Sequence, residues 1–323
     1  MRAVHGRQVG SVHSNSQTIQ SISAVSAYLP ANLVGAVPER VCERMAKGHY
    51  ENFTVGSILL PRQLRKHVYN IYAYCRACDD LADETGDTDL SLRLLSWWRQ
   101  ELYDLFRGRP HHPVFQALAE TVSEFQLPIQ PFDDLVSAFE QDQRVTRYET
   151  FDDLLGYCKR SANPVGRLFL CLLGYTDSRR RQLSDCTCTA LQLANFWQDI
   201  AIDRNKGRIY IPREDMDRFG YTEEELANGV HNPSFVRLMR FEVERTRRLF
   251  DRGAALEGLV SGVGAADISL FTAGGLALLR SLERHNYNIF HRRITVPKLK
   301  KSALVASWVA RHLLSRARWE GSA

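Results

Sequence analysis

The chain has 323 residues, 44% of them hydrophobic and 24% charged, and carries a formal net charge of +5. This composition is typical of a soluble globular protein that buries a sizeable core. No apolar run approaches the roughly 18 residues that span a bilayer, and the basic clusters lack the interleaved aromatic residues of a nucleic-acid interface, so neither a membrane-spanning helix nor a nucleic-acid partner is predicted.

The N-terminus and the cysteines indicate the compartment. The first residues lack the apolar segment of a secretory signal. The seven cysteines form an odd number without framework spacing, which favours a reducing environment. We therefore predict a cytoplasmic protein. Its basic clusters, including residues 291–293, are interpreted mainly as solvated helix faces.

The predicted elements are almost all helices. Residues 1–38 are rich in small residues without a period, which indicates a loosely ordered leader. Amphipathic patterns then predict a helix opening at Pro61 and helices over 90–106, 114–125, 132–141, 151–174, 183–203, 235–259 and 266–291, with a last helix from Ser302. Only residues 208–212 look extended. An all-α chain without a sharp linker predicts one helical domain over residues 39–323.

The last predicted helix is apolar on one face and basic on the other. One interpretation is that it packs onto the core. The other is that it lies on an anionic membrane surface. The sequence leaves both open.

Two of the predicted helices carry rows of polar and acidic side chains at helical spacing. The first row is Tyr72, Arg76, Asp79, Asp80 and Asp83, and the second is Gln192, Asn195, Asp199 and Asp203. Their neighbours are apolar, which predicts burial, and a buried carboxylate is costly unless it is paired or binds metal. For the first row alone, an exposed acidic helix end is the alternative; the second row argues against it.

Carboxylate oxygens are ligands that suit Mg²⁺, which commonly binds substrate phosphates as well. The sequence therefore predicts Mg²⁺ between the two helices. The predicted metal ligands are Asp79, Asp80, Asp83, Asp199 and Asp203. The predicted diphosphate ligands beside the metal are Arg76, Gln192, Asn195 and Arg208.

Two further motifs are interpreted as structural. Cys75 and Cys78 are spaced as in zinc or redox sites, but they lie inside a predicted helix and no second pair completes a zinc site, so we predict core thiols. His111 and His112 lie in a Pro-flanked loop and are predicted to be at the surface.

Three segments resemble the signatures of the squalene/phytoene synthase family. They are Tyr-Ala-Tyr-Cys-Arg-x-x-Asp-Asp-x-x-Asp at 72–83, Tyr-Cys-x-x-x-Ala-x-x-Val-Gly at 157–166, and Gln-x-x-Asn-x-x-x-Asp-x-x-x-Asp with Arg-x-Tyr-x-Pro at 192–212. The resemblance covers roughly residues 45–295. It implies an all-α isoprenoid-synthase bundle with a central cavity, Mg²⁺ on both aspartate motifs, and farnesyl-type diphosphate chemistry in an apolar tunnel.

Within this family the chain is most similar to the hydroxysqualene synthases of bacterial hopanoid synthesis, on residues 49–61, 161–167 and 195–199. The similarity implies that presqualene diphosphate and water become hydroxysqualene and diphosphate. The implied catalytic residues are Tyr72, Tyr157 and Asn163. The implied substrate-binding residues are Tyr50, Asn52, Phe53 and Tyr210, besides the diphosphate ligands named above. The tyrosine rings would stabilise a cation, and their hydroxyls would relay a proton.

The chain also departs from the family pattern. Gln198 stands where an Arg is usual, Cys188 where a Gly is usual, and Tyr50 and Asn52 where serines are frequent. Asn163 and Pro164 replace part of the middle signature. These departures weaken the alternative activity, the condensation of two farnesyl diphosphates to squalene or presqualene diphosphate, without removing it.

Pro164 has a structural consequence of its own. Proline lacks an N–H and collides with a carbonyl one turn back, which predicts a kink near Arg160 and Ser161. A freed carbonyl and the Asn163 amide would then line the cavity and hold a water molecule. The alternative is that Asn163 and Pro164 only adjust packing.

Mg²⁺ is the one cofactor predicted. NADPH, which a reductive squalene synthase needs, is not predicted because no dinucleotide-binding motif appears. The predicted partner is a small prenyl diphosphate, with peripheral contact at the inner face of the cytoplasmic membrane and other enzymes of hopanoid synthesis as further candidates. A non-catalytic scaffold for a lipid pathway is the alternative of another class, and five aligned aspartates argue against it.

Overall fold

The computed structural model describes residues 37–48, 60, 62–261 and 263–296, and the regular structure in these ranges is helical throughout. The elements are α1 (Pro38–Gly48), α2 (Arg62–Asp83), α3 (Thr88–Phe106), α4 (Pro113–Phe125), α5 (Gln130–Asp142), α6 (Phe151–Ser161), α7 (Asn163–Leu172), α8 (Ser178–Asn205), α9 (Arg213–Phe219), α10 (Glu223–Ala227), α11 (Pro233–Gly253), a 3₁₀-helix (Ala254–Leu259) and α12 (Val263–Arg284). The predicted all-α fold is confirmed.

Two long helices organise the bundle. Helix α2 packs against α1, α3, α4 and α5, and its apolar side chains share a core with Trp98 and Phe115. Helix α8 packs against α6, α7, α11 and α12, around a second core that contains Trp197 and Phe250. The two halves join where α5 contacts α6 and α7. Each long helix carries one of the two acidic rows.

Helix α8 begins five residues before its predicted start. Asp177 is the N-cap, and its side chain accepts a hydrogen bond from the backbone N–H of Arg180 at 3.0 Å. The first turn that follows is polar and exposed, so a pattern of apolar residues does not detect it. A cap of this kind typically contributes about 1 kcal/mol.

The predicted helix over 151–174 is broken at Ala162, whose φ of −118° and ψ of −45° separate α6 from α7. Pro164 lies in the first turn of α7, where its missing N–H costs no helical hydrogen bond. The kink predicted near Arg160 and Ser161 is therefore confirmed.

Helices α7 and α8 approach closely at Gly166. A Cβ atom at this position would overlap the Sγ of Cys188 and the Oγ of Ser184. The absence of a side chain at Gly166 is what lets α7 pack on α8 at this level.

Several predicted features differ from the structure. Helices α9 and α10 are too short to show a period and were not predicted, and residues 208–212 form no strand, although Ile209 donates its backbone N–H to the Thr146 carbonyl at 2.9 Å. The prediction that His112 is at the surface is wrong: it is 9% exposed, packs against Trp98 and caps α4 through Nδ1. Its neighbour His111 is exposed, as predicted.

Other predictions hold or lie outside the described residues. Cys75 and Cys78 are free thiols in the first core, as predicted. Residues 1–36, residues 49–59 with Tyr50, Asn52 and Phe53, and the helix predicted from Ser302 are outside the described ranges.

The prediction that no helix could span a membrane needs a qualification. Residues Gly264–Arg284 of α12 are long and apolar enough by length and composition, but 56% of the apolar window is buried inside the bundle. The helix packs against α8 and α11. A core helix of a globular protein meets the same criteria, so α12 is accounted for by its packing.

Candidate active site

The two acidic helices end at the same place. Asp83, the last residue of α2, accepts hydrogen bonds from Lys206 Nζ at 2.7 Å and from Arg208 Nη2 at 2.9 Å, and both donors directly follow the end of α8. Burial alone would raise the pKa of Asp83, but these two bonds bring it below its ordinary value. The end of the α2 row therefore approaches the end of α8 through the hydrogen bonds of Asp83 to Lys206 and Arg208.

Lys206 lies between the two rows. Burial raises the pKa of Asp79 on α2, and it raises the pKa of Asp203 on α8 to about 7, where the charge of Asp199 adds to the effect. The ammonium of Lys206 opposes both shifts. The predicted burial of the two rows is nevertheless incomplete, since the side chain of Asp79 is 42% exposed and that of Asp199 is 21% exposed.

On α2, one arginine serves three carboxylates. Arg76 contacts Asp79 at 3.1 Å, Asp80 one residue further, and Glu84 at 3.3 Å. The first two pairs have the i,i+3 and i,i+4 spacing at which helical side chains meet. Burial raises the pKa of Asp80, and the charge of Arg76 opposes the shift. The predicted row thus contains its own cation.

On α8, the partner of Asp199 comes from far along the chain. Arg293 binds both carboxylate oxygens, with Nε at 2.6 Å from Oδ1 and Nη2 at 2.8 Å from Oδ2. The neighbouring side chain of Gln198 is buried and donates its amide to the backbone carbonyl of Ile294. Gln198 therefore fixes the segment that carries Arg293.

Sequence reasoning missed Arg293 because it lies in the basic cluster at 291–293 that was interpreted as solvated. The one available signal was the departure at Gln198. When a motif lacks its usual arginine beside a partly buried aspartate, another cation is expected to pair with that aspartate.

A second buried carboxylate, Asp142, was also missed. It is the last residue of α5, is 6% exposed, and accepts hydrogen bonds from Tyr157 Oη at 2.5 Å and from Tyr210 Oη at 3.3 Å. Burial raises its pKa to about 6, while the bond from Tyr157 and the charge of Arg208 oppose the shift. Its sequence context is an ordinary polar helix end, which gives no signal.

An aromatic wall surrounds this carboxylate. Phe196 of α8 stacks on Tyr210 with ring centroids 3.8 Å apart, and Tyr148 and Tyr157 each lie 5.8 Å from Tyr210. Tyr157 and Tyr210 are 4% and 8% exposed. Tyr157, predicted to be catalytic, and Tyr210, predicted to bind the substrate, therefore lie together next to Arg208, at the end of the bundle that holds the acidic rows.

The remaining predicted residues lie on the same helices. Tyr72 is partly buried on α2; on α8, Gln192 is partly buried and Asn195 is exposed. Asn163 is 6% exposed, and its Oδ1 accepts a hydrogen bond from Thr189 Oγ1 at 2.9 Å, which joins the start of α7 to α8. This bond supports the packing interpretation of Asn163, and its catalytic role stays a prediction.

Comparison with known proteins identifies the family of this chain. Residues 46–300 match the squalene/phytoene synthase family. The 15-cis-phytoene synthase of Synechocystis sp. is 32% identical over 289 residues, which are 85% of this chain and 85% of the relative.

Solved structures give the same result. The squalene synthase HpnC from Alicyclobacillus acidocaldarius is 42% identical, with a TM-score of 0.74 over 82% of this chain and 99% of that one. A dehydrosqualene synthase solved with a ligand is 25% identical, with a TM-score of 0.78 over 92% of this chain and 99% of that one. The chain therefore belongs to the squalene/phytoene synthase family of isoprenoid synthases, which act on prenyl diphosphates.

Proposed function

We propose that this enzyme converts presqualene diphosphate and water to hydroxysqualene and diphosphate, with Mg²⁺ as its cofactor. The observation that carries the proposal is the meeting of two acidic helices around Lys206 and Arg208, beside the buried tyrosines. This arrangement offers sites for a metal-bound diphosphate at one end and for a carbocation next to it. The departures from the family pattern named in the sequence analysis favour this reaction over the condensation of two farnesyl diphosphates.

The residues present fit Mg²⁺. In the described part of the chain, no group of three or more His, Cys, Asp and Glu side chains is arranged to hold a metal alone. The two rows are instead linked where Asp83 binds Lys206 and Arg208, and burial raises the pKa values of Asp79, Asp80 and Asp203. Hard oxygen ligands of this kind suit Mg²⁺, with phosphate oxygens completing its coordination.

Asp79, Asp80, Asp83, Asp199 and Asp203 would hold the metal. When bound, it supplies positive charge that stabilises the departing diphosphate. The protein's own cations act on the same group: Arg76, Lys206 and Arg208 would donate hydrogen bonds to diphosphate oxygens. These donors now bind carboxylates, so substrate binding would redistribute existing ion pairs.

The aromatic wall would act on the organic part of the substrate. The faces of Tyr157, Phe196 and Tyr210 present negative electrostatic potential to a cation. The apolar cores on both sides exclude bulk water, so that one positioned water molecule decides the product. We assign that position to the neighbourhood of Tyr157.

The second candidate function is the condensation of two farnesyl diphosphates by the same site. The names of the relatives, which include squalene, dehydrosqualene and phytoene synthases, favour it. Both candidates use the acidic helices, and they differ in the substrate and in the fate of the cation.

The test is product analysis with the full chain. Presqualene diphosphate and Mg²⁺ in ¹⁸O-water should give labelled hydroxysqualene and diphosphate, equally with and without NADPH, and EDTA should stop the release of diphosphate. Squalene that forms only with NADPH would replace this proposal with a reductive synthase. Presqualene diphosphate formed from farnesyl diphosphate, without alcohol, would establish the second candidate. No diphosphate release from either substrate would favour the non-catalytic scaffold.

A further inference from the structure

Asp142 holds two phenols at once. Its Oδ2 accepts the hydrogen bond of Tyr157 and its Oδ1 accepts that of Tyr210. Each phenol therefore directs its proton at Asp142 and turns its oxygen lone pairs elsewhere. A phenol fixed in this way is a poor donor to any third group. It is a good acceptor, because the carboxylate can take up its proton.

The groups that face Asp142 come from several elements. They are Tyr157 of α6, Tyr148 of the 143–150 segment, Arg208 and Tyr210 after α8, Asp83 at the end of α2, and Asp203 of α8. Arg208 favours the carboxylate, whereas burial and the charge of Asp83 favour the neutral acid. With a pKa of about 6, Asp142 is mainly ionised at neutral pH and is still a useful base.

We propose that Asp142 is a positioning residue that acts through Tyr157, as the final acceptor of the proton that product formation releases. The inference rests on the proposed function. Asp142 lies outside both the aspartate rows and the tyrosine signature. Its position also gives the proton a direction, from Tyr157 to Asp142.

The step balances without a further reactant. A lone pair of water forms the new C–O bond with the carbocation. One O–H bond of the resulting oxonium then breaks, leaving its electron pair on the product oxygen, and the proton moves to Tyr157 Oη. The original O–H bond of Tyr157 breaks in the same movement, and that proton moves to Asp142 Oδ2. Tyr157 is neutral before and after, and the Asp142 carboxylate becomes a carboxylic acid.

Asp142→Asn separates positioning from proton transfer. The amide oxygen can still accept the hydrogen bond of Tyr157, but the side chain cannot take a proton. We expect the rate constant for alcohol formation, kcat, to fall about 100-fold, as is common when a base is removed, while KM changes less than about threefold. The wild-type kcat should decline below pH 6, as Asp142 becomes protonated, and the variant should lose this limb of the profile.

Three further variants complete the test. Tyr157→Phe should lose as much activity as Asp142→Asn, and the double variant should lose little more, because the two side chains act as a unit. Asp142→Glu should recover part of kcat together with the acidic limb. Asp134→Asn on the same helix, where the carboxylate accepts a hydrogen bond from Gln130, is the matched control and should behave as wild type.

The experiments distinguish a failure of the proposed function from a failure of the role of Asp142. Labelled hydroxysqualene from the wild type establishes the proposed function, and the variants then decide on Asp142 alone. An Asp142→Asn variant with wild-type kcat and pH profile would overturn the inference. So would a loss that Asp142→Glu does not relieve and that accompanies a lower melting temperature, because it would assign Asp142 a structural role. A wild type that forms no alcohol from presqualene diphosphate would overturn the proposed function and this inference with it.

Discussion

The acidic rows of α2 and α8 obtain their positive charge in opposite ways. On α2, Arg76 lies on the same helix as Asp79 and Asp80 and pairs with both across one turn. On α8, Asp199 depends on Arg293, which is 94 residues away, and Asp203 makes no ion pair among the described residues. Asp79 and Asp80 are thus paired wherever α2 forms, whereas Asp199 is paired only when the segment after α12 has docked, and Asp83 only when the residues after α8 have docked.

If the two rows share one diphosphate through Mg²⁺, the strongest effect should come from removing a carboxylate on either side. We expect Asp80→Ala and Asp199→Ala each to lower diphosphate release from presqualene diphosphate by at least about 10³-fold, or roughly 4 kcal/mol of barrier. The double variant should lose little more, as for groups that act together.

The control for this prediction is Asp104→Ala, which removes an aspartate of α3 that contacts Gln100, Arg107 and Arg109. It should retain wild-type activity. Substantial release by either single variant would contradict a metal held by both helices.

A third carboxyl sharpens the comparison because no cation contacts it in the part of the chain that the structure describes. Asp267 on α12 is 1% exposed, its two oxygens have no hydrogen-bond partner in the described part of the chain, and burial raises its pKa to about 8. The folded state therefore binds a proton more tightly than the unfolded state, whose pKa is near 3.9. Stability is then unaffected at low pH and falls as the pH rises from about 4 towards 8.

Replacing this group should stabilise the fold. We expect Asp267→Leu to raise the free energy of unfolding by about 2 kcal/mol at pH 8 and by much less at pH 5, as measured by denaturant titration at both values. Asp251→Leu at an exposed position of α11 is the control for a change of charge alone. A gain that is the same at both pH values would show that the Asp267 carboxyl is not the cause.

Arg293, which pairs with Asp199 from far along the chain, can be replaced by an arginine at the neighbouring position 198. Arg293→Gln should lower kcat/KM for the prenyl diphosphate about tenfold, or roughly 1.4 kcal/mol, because Asp199 loses its bidentate partner. Adding Gln198→Arg, which restores the arginine usual in the family, should recover part of the loss. Gln198→Arg alone, in a chain that keeps Arg293, should not raise kcat/KM. If the double variant is no better than Arg293→Gln alone, positions 198 and 293 do not serve the same carboxylate.

The smallest effect is expected at the opposite end of α8, where the stabilising contact is local. Asp177→Ala removes the N-cap hydrogen bond to Arg180 and should cost about 1 kcal/mol of stability. Thermal unfolding should show the loss, and kcat should stay unchanged because the cap lies at the end of the helix far from Asp199. Asp177→Ser, which keeps a capping oxygen, should behave nearly as wild type.

These contrasts explain how much could be predicted from the sequence. Local relations were predictable: the spacing of Asp79, Asp80 and Asp83, the break that Pro164 causes, and the helix periods. Contacts made by the fold were not. Arg293 reaches Asp199 only through the packing of the last segment, and Asp142 receives Tyr157 and Tyr210 only after α5, α6 and the segment after α8 meet. Helix starts were also imprecise, since capping residues precede the apolar pattern.

The close packing at Gly166 limits what residues 166, 184 and 188 can be at the same time. A Cβ atom at 166 would overlap both the Sγ of Cys188 and the Oγ of Ser184. Gly166→Ala would therefore be accepted only if both of these side chains moved or became smaller. The three positions share one small volume at the contact of α7 with α8, so a larger residue at one of them requires small residues at the other two.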